Sequence, residues 1–295
     1  MSHPSITIFQ KKVKDFYNTD FEIQQLDSTC SFSEGPVWHP DGCYLFSDIP
    51  ENVIYKITET GKKEIYLNNS GCTHQERDDL GDQIGSNGLA LNKEGDLLIC
   101  QHGNHAVATF NGEKVDTIIS EHNTKPFNSP NDIILHENGS IFFSDPPYGL
   151  KDKKLIPEKY QPLAGIYCWR DGKVELISDH YRYPNGVCLS ADKKILFTCS
   201  NKPFERFVLM FSSENLKLIG EFSKENGDGI KSDRHGNILL CSNDGILIVN
   251  KKGERLALIK LPTIPANICW GGVAANDLFI TARENIYLIT DLQKQ

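Results

Sequence analysis

The chain has 295 residues, 39% of them hydrophobic and 24% charged, a globular composition with enough apolar material for a sizeable core. Its 31 Lys and Arg against 39 Asp and Glu leave a formal charge of −8, which excludes the basic surface of a dedicated nucleic-acid binder and offers nothing to anionic lipid. No run approaches the roughly 20 apolar residues of a membrane span, and the opening MSHPSITIFQKK lacks the long apolar stretch of a secretion signal. The nine cysteines are odd in number, form no CxxC pair and mostly stand singly in apolar runs. Buried free thiols in a reducing cytoplasm are therefore expected, rather than a thiolate metal site.

Taken in chain order, residues 21–26 alternate as a short strand, and the first of six similar segments then begins at Glu34 (EGPVWHPDGCYLFSD). The others start at Asn87 (NGLALNKEGDLLICQ), Asn131 (NDIILHENGSIFFSD), Asn185 (NGVCLSADKKILFTC), Asp228 (DGIKSDRHGNILLCS) and, more weakly, Asn267 (NICWGGVAANDLFIT). Each opens on a side-chain oxygen, runs through a short apolar stretch, turns and returns through a second apolar run. Five turns carry residues that tight hairpins favour: Asp41-Gly42, Glu94-Gly95, Asn138-Gly139, Asp192-Lys193 and His235-Gly236. The starts lie 39 to 54 residues apart, close to the ~40–50 of four-stranded propeller blades. No helical period is sustained anywhere.

The expectation is an all-β, six-bladed β-propeller forming a single domain over 1–295. Residues 268–273, 277–282 and 285–290 supply three strands to the last blade, and the N-terminal strand at 21–26 closes the ring as its fourth. Residues 61–86 and 146–165 are expected as loops over one mouth of the central channel. The six starting residues ring that mouth, and Asp48, His102, Asp145, Ser200 and Asn243 return to it.

Two of the six are carboxylates, Glu34 and Asp228, and like charges brought together repel unless a cation lies between them. Carboxylate and amide oxygens favour a hard divalent ion such as Ca²⁺, Mg²⁺ or Mn²⁺. Singly, such residues more often cap a turn.

The motifs SEGPVW, SNGLAL, QHGN, SPNDI, FFSDPPYGL, YPNGV and GDGIK occur in order over about Ser33 to Thr281. In them the chain resembles the gluconolactonase family, which includes regucalcin-like and luciferin-regenerating-type proteins. The resemblance implies a six-bladed propeller with one divalent metal ion in the channel, Ca²⁺ in the first place and Mg²⁺, Mn²⁺ or Zn²⁺ as alternatives, hydrolysing a small-molecule lactone such as gluconolactone. By the same resemblance Glu34, Asn185 and Asp228 are metal ligands, Asp228 is also the catalytic proton acceptor, and Asn131 contacts substrate and serves as a further ligand. Where the regucalcin-like branch has an Arg two residues before that Asn, this chain has Ser129, which places it nearer the bacterial-type branch. The implied chemistry is Lewis-acid-assisted ester hydrolysis, the water activated either at the cation or by loss of a proton to Asp228.

Asn87, His102 and Tyr148 are further candidates for contact with substrate. His105 has a weaker claim, His39 and His235 belong to turns at the opposite face, and Trp38, Trp169 and Trp270 read as core. His74 with Glu76, Asp78, Asp79 and Asp82 reads as a solvated acidic loop rather than a second cation site. The rival functions are a metal-dependent organophosphate or aryl esterase on the same site, a non-enzymatic binding scaffold, and a calcium buffer.

Overall fold

The computed structural model describes residues 6–58, 60–74 and 78–295. The repeated segments form six antiparallel sheets arranged as the blades of a propeller. Their innermost strands are Ser33–His39, Ser86–Leu91, Ile133–Leu135, Pro184–Leu189, Ile230–Ser232 and Asn267–Gly271. Each inner strand neighbours that of the next blade, and the sixth returns to the first. All six inner hairpins turn on a residue of positive φ: Gly42 (82°), Gly95 (90°), Gly139 (88°), Lys193 (62°), Gly236 (81°) and Ala275 (52°). The sixth copy, which lacks the turn glycine, thus keeps the same turn, closed by Ala275 N–H donating to the Gly272 carbonyl at 3.0 Å.

Closure is made by Gln24–Asp27, which pairs with Asn285–Ile289 as the outermost strand of blade six. This is the expected closing strand, displaced a few residues toward the C-terminal side of 21–26. A second N-terminal strand, Ile6–Ile8, adds a fifth member to blade five by pairing with Arg255–Ile259. The 61–86 segment also differs from expectation, because Lys63–Asn68 is the fourth strand of blade one and the loop begins only after Asn68. That loop ties to the one at 146–165, with Gly81 N–H donating to the Gly149 carbonyl at 2.9 Å and Lys151 N–H to that of Asp79 at 2.9 Å.

The apolar core is divided into six clusters, one at each blade-to-blade interface. Alternating strands present one face to each neighbour, so every blade is buried on both sides, and the channel is left to polar side chains. All nine cysteines are buried and free. Trp38, Trp169 and Trp270 pack at the margins of these clusters. No helix among the described residues is long and apolar enough to cross a membrane.

Candidate active site

The inner strands are irregular where they reach the mouth. Their register slips between Glu34 and Val37, between Ser86 and Leu89, and between Pro184 and Val187. In blades three and five, Asn131 and Asp228 precede the regular strand but keep backbone bonds to its partner, through Ser144 and Cys241. Bulges at a rim re-aim side chains, and here each turns its Glu, Asn or Asp toward the axis. A glycine follows four of these residues because the next inner strand passes too close for a Cβ. At Gly35, with φ of +54°, a Cβ would lie 1.9 Å from the Asn87 carbonyl oxygen. Gly35→Ala is accordingly expected to cost about 2 kcal/mol, a fall in Tm of about 3 °C that thermal unfolding followed by circular dichroism would detect; an unchanged Tm would contradict the packing described.

Glu34, Asn87, Asn131, Asn185 and Asp228 line one cavity of about 190 Å³ at the mouth, with Tyr148 on its wall. Asn87 Nδ2 donates to Asn131 Oδ1 at 2.6 Å, Asn131 Nδ2 donates to Asn185 Oδ1 at 2.9 Å, and Asn185 Nδ2 donates to Asp228 Oδ1. Glu34 accepts from Gly35 N–H at 2.8 Å. Burial, and then the Asp228 charge, push the Glu34 carboxyl up to about 8. Burial also pushes Asp228 up to about 6, against the hydrogen bonds of Asn201 and Asn185. The two acids repel and titrate as a pair.

The remaining candidates divide. Tyr148 donates its hydroxyl proton to Asn201 Oδ1 at 3.0 Å and belongs to the site. His102 is fully buried behind Asn87 and Asn131 rather than on the cavity wall. Its Nδ1 lies 2.9 Å from the Gln83 carbonyl and must carry the proton, while burial lowers its pKa to about 4. With that proton placed, the ring is a neutral acceptor that faces the Asn87 and Asn131 amides. Asn267 belongs to the ring of six, but its Oδ1 accepts from Ile268 N–H within its own strand.

Asp48 and Asp145 return to this face and hold backbone N–H groups of Ser31 and Phe32, and of Asn128 and Ser129. Ser129 is fully buried, where its Oγ accepts from Gly149 N–H. His105 stacks on Tyr160 with ring centroids 4.2 Å apart. In the acidic loop, Asp79 is buried and accepts from Lys159 and Tyr160, so it is neither solvated nor free for a cation; Glu76 lies outside the described residues.

Sequence reasoning missed Asn201, Lys202 and Arg283, which also line the cavity. Asn201 and Lys202 come directly after Ser200, a residue the repeat returns to this face, and Arg283 occupies the matching place after blade six. The repeat therefore held the signal.

Whether these side chains suit a divalent cation is tested by their own hydrogen bonding. With Nδ1 protonated, His102 Nε2 is an acceptor; it meets the Asn87 Nδ2 donor at 3.4 Å, yet it also faces Asn131 Oδ1, another acceptor, at 3.3 Å. Asn87 Oδ1 is buried without a hydrogen-bond partner. Turning the amides of Asn87, Asn131 and Asn185 through 180° lets Asn131 Nδ2 serve both His102 Nε2 and Asn87 Oδ1, in exchange for the present contact between Asn87 Nδ2 and His102. The turned chain ends with Asn185 Oδ1 beside an Asp228 oxygen, an oxygen pair that a cation satisfies. Glu34, Asn185 and Asp228, with Asn131 behind them, thus fit a hard divalent ion. Among the described residues no three His, Cys, Asp or Glu side chains gather for a metal, so such a site depends on its amides.

A model of the SMP-30/gluconolactonase/LRE-like region matches residues 32–284. The chain is 30% identical to a gluconolactonase of Zymomonas mobilis over 95% of its own length and 84% of that protein. In structure it is similar to a gluconolactonase of Xanthomonas campestris, with a TM-score of 0.83 and 23% identity over 99% of this chain and 95% of that one. It is also similar to a calcium-binding regucalcin of Agrobacterium tumefaciens, with a TM-score of 0.73 and 18% identity over 93% and 95%.

Proposed function

The chain belongs to the SMP-30/gluconolactonase/LRE-like family, and we propose that this lactone hydrolase opens small, sugar-type lactones to hydroxy acids with a divalent cation at the channel mouth. The observation that carries the reading is the meeting of Glu34, Asn185 and Asp228 on one cavity, in a chain of amides that a cation would complete. When bound, the cation supplies Lewis acidity to the ester carbonyl. Ca²⁺ leads the candidates because the donors are hard oxygens.

The chain's own groups supply the rest. Asp228 takes a proton from the attacking water through the oxygen turned away from the cation, which its raised pKa suits near neutrality. Asn131 and Asn87 bind the ring oxygen or a hydroxyl, and Tyr148 forms the wall against which the ring lies. Water adds at the carbonyl carbon, the ring C–O bond breaks, and the alkoxide takes up one proton to become a hydroxyl.

The test is a panel of γ- and δ-lactones, an aryl ester and a phosphotriester, followed by proton release after chelation and after resupply of Ca²⁺, Mg²⁺, Mn²⁺ or Zn²⁺. Lactones should be turned over fastest, and chelation should lower their hydrolysis by at least about 10²-fold. Faster aryl ester or phosphotriester turnover, or lactonase activity indifferent to chelation, would reject the proposal.

A further inference from the structure

The same mouth carries positive charge that the hydrolysis of a neutral lactone does not use. Lys202, Arg283 and Lys153 line the cavity, and the first two also line an adjoining cavity of about 200 Å³ that shares Asp228 and Asn201 with it. Lys202 Nζ is held over two rings, 5.3 Å from the Tyr148 centroid and 4.7 Å from that of Tyr183. The Arg283 guanidinium stands 5.6 Å from the Phe32 ring. Such contacts fix the direction of a cation without neutralising it. Among the described residues none of the three ion-pairs with a carboxylate, whereas lysines elsewhere in this acidic chain do so, Lys63 with Asp27 and Lys159 with Asp79 among them.

Arg283 also holds a costly conformation. Its φ of 57° lies in the left-handed region, at a two-residue turn where glycine or asparagine is the ordinary choice. Its carbonyl is pinned there by Ser33, whose N–H donates at 2.8 Å and whose hydroxyl donates at 2.7 Å. The charge balance gives the consequence. Glu34 and Asp228 together offset one divalent cation, which leaves Lys202, Arg283 and Lys153 facing the cavity uncompensated. Burial lowers the pKa of Lys202, opposed by the charges of Asp228 and Glu205 and assisted by Lys153.

We propose that the substrate is a lactone bearing an anionic substituent, a carboxylate or a phosphate, which Lys202 and Arg283 bind in the adjoining cavity while the ester lies against Asp228. This rests on the lactonase reading above and narrows its substrate class. Asn226, Ser242 and Asn243 add polar groups to the same adjoining cavity.

The experiment compares kcat/KM, with Ca²⁺ present, for a neutral hexonolactone, the same lactone with a terminal carboxylate, and the same lactone with a terminal phosphate monoester. An anionic form should be preferred by about tenfold or more, and the preference should weaken with added salt. In Lys202→Gln/Arg283→Gln the ratio of anionic to neutral kcat/KM should collapse toward one, through KM. The carboxylate and phosphate arms show which anion is taken. Equal use of neutral and anionic lactones, or a preference that survives the double substitution, overturns the proposal. Absence of turnover on all three lactones would instead defeat the lactonase reading on which it rests.

Discussion

Asp228→Ala is expected to lower kcat/KM for lactones by about 10³-fold and to abolish Ca²⁺ binding in calorimetry, while the fold is retained. Asp228 is the end of the amide chain, the proposed proton acceptor and one of two charges available to the cation, so three contributions vanish together. The fold survives for an equally physical reason. The Asp228 side chain lines the cavity at the mouth and takes no part in the inter-blade clusters, and its removal relieves repulsion on Glu34. Glu34→Gln separates the roles. It keeps an oxygen for Gly35 N–H, loses the charge, and should weaken Ca²⁺ binding more than it slows a cation-saturated reaction. Full lactonase activity in chelated Asp228→Ala would refute the assignment of Asp228 as both ligand and base.

The sequence made the blades legible because propeller geometry is written twice in each copy, as an oxygen at the strand entry and as a positive-φ turn. Even the weak sixth copy obeys, with Ala275 where glycine was missing. The same repetition put Glu34, Asn87, Asn131, Asn185 and Asp228 on one face, and the cavity gathers all five. What could not be read depends on contacts between distant segments. Ile6–Ile8 joins blade five only because the edge of Arg255–Ile259 is open to it, and three residues carry no period. His102 was visible as a mouth residue, but its place behind the amides is fixed by the Gln83 carbonyl, nineteen residues away in the loop. Lys202 and Arg283 escaped notice because a charged residue after a strand ordinarily reads as solvated surface; only the rings beneath them mark them as directed.

The chelated protein is expected to lose stability as pH rises, and Ca²⁺ to restore it. Both acids have folded-state pKa values above their ordinary ones, Glu34 about 8 and Asp228 about 6. Between the ordinary carboxylate range and those values the folded state holds more protons than the unfolded chain, so stability falls with pH across that window. It is greatest below about pH 4, as far as this pair is concerned, and its loss is complete once pH passes the Glu34 value. A divalent cation replaces those protons, so Ca²⁺ should bind more weakly at pH 5 than at pH 8. At one hundred times its Kd it adds about 2.7 kcal/mol, which raises Tm by about 4 °C in a chain of this size. Thermal unfolding in chelator and in excess Ca²⁺, from pH 5 to 8, should therefore give two curves that diverge with pH, and Glu34→Gln/Asp228→Asn should flatten the chelated curve and bring the two together. Parallel curves in the unmodified protein, or a chelated Tm that climbs with pH across the window, would show that the two carboxylates do not share a buried corner awaiting a cation.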